Sequence, residues 1–105
     1  MNVFISQPMN GLTDAEIVTV REKIFDEFQL DHPEAVLLDH YADLKTKVGS
    51  FNSYAHSEVA LLAESLKTMA DADVVLFAKD WEKARGCRIE NKVAGYYDIE
   101  RVYVR

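Results

Sequence analysis

The hydrophobic pattern of this chain alternates between unbroken apolar runs and helical periods. Asn2 to Ser6 carries the run Val3-Phe4-Ile5 and is closed by polar residues and a proline, the pattern of a strand buried on both faces. From Thr13 onward Ile17, Val20, Ile24 and Phe28 recur every three or four residues, which predicts a helix with one apolar stripe. Thr13 and Glu16 have the spacing of a capping box, and Asp31-His32-Pro33 ends the helix. Ala35 to Leu38 reads as a second short strand. Asp39 to Ser53 is polar, contains Gly49 and shows no sustained period. It is expected to be a lid or a plain surface excursion, with at most a helical turn around Tyr41 to Lys45.

Helical spacing returns from Tyr54 to Ala70, with Ala55, Val59, Leu62, Leu66 and Met69 on one face. Ala60, Leu61, Ala63 and Ala70 widen that face beyond what one sheet needs, so deep burial or a subunit contact is expected. Asp73 to Ala78 contains the uninterrupted run VVLFA of a central strand, and Lys79 to Ala84 forms a turn. Gly86 to Tyr97 is expected to be a helix with Ile89, Val93 and Tyr96 toward the core and Glu90 and Ala94 on the neighbouring stripe. Arg101 to Val104 supplies the last strand. This alternation predicts an α/β fold in three layers, with a four-stranded, mostly parallel sheet in the order 2-1-3-4 and right-handed crossovers. Phe4, Ile5, Val75, Leu76 and Val102 are expected in its core.

Composition narrows the classes. A length of 105 residues with 49% apolar content suits a single domain over residues 1–105. A net charge of -6 argues against a nucleic-acid polymer as partner, although Lys79, Lys83, Arg85 and Arg88 could hold one phosphate or simply form a solvated basic face. The single cysteine, Cys87, permits no internal disulfide, and the start of the chain has no basic and apolar leader, so a cytoplasmic protein is expected. No apolar run approaches the roughly 20 residues that cross a bilayer. His32, His40 and His56 lack paired ligand spacing, so no metal is expected.

The candidate chemistry lies where two strands run into polar, glycine-containing turns: Ser6, Gln7, Pro8, Met9, Asn10 and Gly11 after the first, and Asp80, Trp81, Arg85 and Gly86 after the third. Ligands of parallel sheets settle outside the carboxyl ends of the strands, near helix N-termini. Glu90 reads as a first-turn carboxylate, held anionic by the helix dipole. It could attack or electrostatically support an electron-poor sugar carbon, or it could cap its own helix or pair with Arg88 or Lys92. Arg85 offers a planar fork for phosphate or carboxylate, and Gly86 permits close backbone approach. Trp81 could stack on a base or fold back over the sheet edge.

The segments FISQPMNGLTDAEI, ADVVLFAKDW and ARGCRIENKVAGYY together resemble a phage- and prophage-associated domain family that is similar to nucleoside 2-deoxyribosyltransferases and deoxynucleoside 5'-monophosphate N-glycosidases. The resemblance covers nearly the whole chain. It implies a flavodoxin-like or Rossmann-like sheet with a nucleoside or nucleotide pocket between the first and third strand ends, and no cofactor. Glu90 matches the family's nucleophile, which attacks the anomeric carbon of deoxyribose, and Ser6 to Gly11 match the loop along the sugar and phosphate. It also implies a homo-oligomer in which a neighbouring subunit helps to close the pocket.

Three departures stand against that pattern. Phe4 replaces a tyrosine that helps to position the nucleophile, Ala84 replaces an aspartate or serine, and Ser65, beside Glu64, replaces a further aspartate. A proton donor to the leaving base contributes about 10²- to 10⁴-fold. Asp80 or Glu82 could stand in. The expected function is therefore N-glycosidic cleavage or deoxyribosyl transfer, with a non-catalytic nucleotide-binding module, for sequestering or sensing, as the alternative.

Overall fold

The computed structural model describes the backbone of residues 1–105 and every side chain except those of His40, Asp43 and Val48. Strands β1 (Asn2–Ser6), β2 (Val36–Leu37), β3 (Val74–Phe77) and β4 (Glu100–Tyr103) form one sheet, parallel throughout, in the order β2-β1-β3-β4. The architecture is the three-layer α/β fold that the pattern predicts, and it is flavodoxin-like, as the resemblance implies.

Register and side-chain alternation divide the core between the two faces. Val3 lies opposite Val74, Phe4 opposite Val75, Ile5 opposite Leu76 and Ser6 opposite Phe77. Successive strand residues point to opposite faces. Val3, Ile5, Val74 and Leu76 therefore pack with Ile24, Phe25 and Phe28 of helix α1 (Asp14–Asp31). Phe4, Val75 and Phe77 pack on the other face with Met69 of α3 (Ser57–Met69) and Ala94 of α4 (Arg85–Tyr96). The chain leaves β1 toward one edge and β3 toward the other, so their carboxyl ends form the topological switch point at which ligands of such sheets bind.

Local signals explain α1. Thr13 caps it: the Glu16 N–H donates to Thr13 Oγ1 at 3.2 Å, and the Thr13 N–H donates to Glu16 Oε1 at 3.0 Å. Ile17, Ile24 and Phe28 face inward as expected, and one position of the stripe differs. Val20 is 38% exposed, and Arg21 takes the buried place between Ile17 and Ile24. Positions 20 and 21 both lie near that stripe, and the polar end of β1 favours the arginine.

Several other expectations are corrected. Residues 39–53 are not a loop with one turn: they contain α2 (His40–Lys47) and a 3-10 turn (Val48–Phe51) that buries Phe51. Asp14 ties α2 to the start of α1, accepting from the Tyr41 hydroxyl and, at 2.7 Å, from Lys45 Nζ. Lys47 Nζ reaches Glu64 of α3 at 3.4 Å. Helix α3 begins later than Tyr54 and buries Ser65 and Met69; Tyr54 and Ala55 are exposed, as is Val59 at 64%. Leu66 and Met69 of α3 join the sheet, and the same helix meets α2 and the 3-10 turn.

Helix α4 is rotated from its expected setting. Cys87, Glu90 and Ala94 face inward, Ile89 is exposed, and Tyr96 is 79% exposed. Small Ala94 brings the helix close to Phe4 and Phe77, which a tyrosine at the seam would prevent. Strand β4 covers residues 100–103 and not 101–104, and as an edge strand it leaves Val102 half-buried. Likewise β2 shrinks to two residues with Val36 exposed. No helix among the described residues is long and apolar enough to cross a membrane.

Candidate functional site

Strand parity builds the site. Ser6 shares a face with Phe4 and so points toward α4, where its hydroxyl donates to Glu90 Oε1 at 2.7 Å. The next residue, Gln7, turns the other way: its Nε2 donates to the Ile17 carbonyl at 3.2 Å. Its Oε1 accepts from Arg21 Nη1 at 3.1 Å, and the same nitrogen lies 3.4 Å from the Ile5 carbonyl. Ser6, Gln7, Arg21 and Glu90 are all buried, Arg21 at 3% and Glu90 at 6% exposure. Buried polar groups of this kind survive only when partnered. Among the described residues no buried side-chain nitrogen or oxygen lacks a partner.

Electrostatics corrects the expected state of Glu90. It sits in the second turn of α4, not the first, so the helix N-terminus is too distant to hold its charge. Burial pushes its pKa up to about 7, against the Ser6 hydrogen bond and the Arg21 charge, which both pull it down. Burial also lowers the Arg21 pKa, while Asp39, Glu90 and Tyr41 oppose that shift. The Cys87 thiol is raised to about 11 chiefly by burial, against Ser6, which lowers it.

The remaining candidates divide between the two turns. Pro8 and Met9 are half-buried, and the chain tip at Asn10 and Gly11 is exposed. A left-handed φ of 79° at Gly11 and a Leu12 N–H to Met9 carbonyl bond at 3.2 Å close this turn into the Thr13 cap. In the second turn, Asp80 adopts a φ of 66° and pairs with Lys83 at 3.5 Å. Trp81 folds back over the sheet edge, 5.3 Å from the Phe77 ring and 5.5 Å from that of Tyr103. Arg85 is the first residue of α4 and binds Glu58 Oε2 at 2.5 Å. A Cβ at Gly86 would meet nothing within 4 Å, so the protein's own packing does not demand glycine there.

Among the expected substitutes and gaps, Phe4 is fully buried beside Val75, Ser65 is buried on α3, and Ala84 provides no side-chain cap for α4. The structure thus brings Ser6 to Glu90 and leaves Trp81 and Arg85 engaged elsewhere. Sequence reasoning missed Arg21, Asp39 and Tyr41. A charge spaced four residues from Ile17 and three from Ile24, on the apolar stripe, was the available signal for Arg21. Asp39 and Tyr41 lie in a stretch with no period to place them. Two surface grooves lie away from Glu90: one of about 420 Å³ between α4 and β4 at Gly95, Asp98 and Arg101, and one of about 350 Å³ along Leu12, Thr19 and Val20. Comparison of the chain with protein-family models, with curated proteins and with solved structures gives no match.

Proposed function

We propose that this protein processes nucleosides or nucleotides, cleaving an N-glycosidic bond or transferring a deoxyribosyl group with Glu90 as nucleophile. The supporting observation is the 2.7 Å Ser6–Glu90 hydrogen bond, which joins segments 84 residues apart, the end of β1 and the helix that follows β3. In this reaction the Glu90 carboxylate attacks the anomeric carbon. The bond from that carbon to the base breaks, its electron pair goes to the base nitrogen, and the base takes a proton from solvent. Water or a second base then displaces the carboxylate from the sugar. No electrons leave the reacting pair, so no cofactor is required.

Ligand contact is assigned first to Pro8, Met9, Asn10 and Gly11, the accessible part of the first turn, and to the buried Ser6 and Gln7 once their covering segments move, since Trp81 is committed to packing and Arg85 to Glu58. At 6% exposure, Glu90 meets a ligand only when its covering segments move. That burial, with a pKa of about 7, favours a second reading in which the site binds a nucleotide without turnover.

Chromatography for free base, with a thermal-shift screen of nucleosides and nucleotides, separates the two. Glu90→Gln is expected to abolish release and retain binding, whereas a binding module shows a thermal shift and no release from wild type. Release that survives Glu90→Gln would remove Glu90 as the nucleophile. We also propose self-association through exposed Tyr54 and Val59 near the start of α3; a monomer at tens of micromolar by sedimentation would refute it.

A further inference from the structure

We propose that Arg21 is the positioning residue of the Glu90 site: braced inside the fold by Gln7 and the Ile5 carbonyl, it fixes the end of β1 that presents Ser6 to Glu90 and supplies the positive charge opposite that carboxyl. This rests on the reading of Glu90 as the reacting group.

The position makes little sense as packing. Arg21 occupies the seam between Ile17 and Ile24, where leucine or methionine would fill the same space without desolvating a charge. Its Nη1 spans two consecutive steps of the chain, the Gln7 side chain at 3.1 Å and the Ile5 carbonyl at 3.4 Å, and Ser6 lies between those residues. Ser6 in turn holds Glu90 Oε1 at 2.7 Å. The guanidinium thus reaches Glu90 twice, by geometry through Ser6 and by charge across the buried space. Among the described groups the others that act here are Cys87 on α4, which Glu90 pushes toward its neutral form against the opposing charge of Arg88, and Asp39 and Tyr41, which act on Arg21 from the start of the α2 region. Since no other cation acts on Glu90 among the described groups, Arg21 is the source of the positive field that opposes its burial.

The test is an NMR titration of protein carrying ¹³Cδ-glutamate and ¹⁵N-arginine, with the Glu90 signal assigned by its loss in Glu90→Gln. In wild type the Arg21 side-chain nitrogens are expected to shift with the same midpoint as Glu90, and that response should vanish in Glu90→Gln. Arg21→Met is expected to move the Glu90 midpoint up by about one pH unit, a tenfold change in its ionisation constant, while Arg21→Lys restores most of it. If Arg21→Met does not fold, the wild-type and Glu90→Gln titrations decide the matter without it. An Arg21 signal silent through the Glu90 midpoint, or a folded Arg21→Met with that midpoint unmoved, overturns the assignment. Neither titration depends on turnover. Absence of base release would therefore count against the reaction, and a silent Arg21 against the positioning role.

Discussion

The middle of the sheet and its carboxyl end are built on opposite principles. Val3, Phe4, Ile5, Val74, Val75 and Leu76 are buried in the two apolar clusters, so each adds stability by leaving water. One residue further along β1, burial is just as complete, yet the groups are Ser6, Gln7, Arg21 and Glu90. Every one needs a partner, and the carboxyl stays half-protonated near neutral pH despite its partners. A fold selected for stability alone would continue the apolar pattern. Its interruption at the carboxyl end of β1 is what the proposed site rests on.

The contrast can be broken first at its dry side. Phe4→Ala is expected to destabilise the protein by about 3–5 kcal/mol, the range for a phenylalanine truncated inside a close-packed core, read as a shift in the urea midpoint. Glu90→Gln should do the reverse. In the folded state Glu90 titrates near 7 and in the unfolded chain near 4.5, so the folded form binds the extra proton between those values. Stability is then greatest below the lower value and declines as pH rises through the upper one. Relative to wild type, the glutamine variant should gain up to about 3 kcal/mol at about pH 8 and almost nothing at about pH 4, measured by denaturation at both. An equal gain at both pH values would show that Glu90 is not held in its raised state.

The same ionisation shapes turnover. If the carboxylate is the nucleophile, kcat/KM for base release should climb tenfold per pH unit below about 7 and level off above it. A profile that falls through that region would instead make Glu90 an acid. The smallest effect belongs to the surface. Asp14 is fully exposed where it holds Tyr41 and Lys45, and those bonds keep its pKa below the usual carboxylate range. Asp14→Asn should leave the global unfolding midpoint nearly unmoved while amide exchange in α2 quickens. A large midpoint shift would make α2 part of the core.

Legibility followed the range of the interactions involved. The unbroken runs at Val3–Ile5 and Val74–Phe77, and the reciprocal Thr13–Glu16 cap, are local features, and all were readable. Helical period was readable too, and its phase in part: Ile17, Ile24, Phe28, Leu66, Met69 and Val93 face inward as expected, and other positions do not. Arg21 in place of Val20, and Glu90 in place of Ile89, face inward because of partners on β1, the latter 84 residues distant. Residues 39–53 misled for a related reason: α2 is fastened by Asp14, Lys45, Lys47 and Glu64, contacts that leave no apolar stripe in the segment itself. Of the candidate site, the meeting of Ser6 and Glu90 followed from topology, whereas the engagement of Arg85 by Glu58 depended on where α3 begins.

Cys87 turns this arrangement into its own reporter. It is the chain's single thiol, buried against Ser6 on the Glu90 face of α4, and with a pKa near 11 it is almost wholly unreactive while the fold is closed. Alkylation of the native protein by a maleimide therefore clocks how often this buried position opens, with no engineered label. A molecule that settles against Ser6 should slow that clock in proportion to its occupancy, which gives a ligand screen that needs neither a substrate nor a reaction.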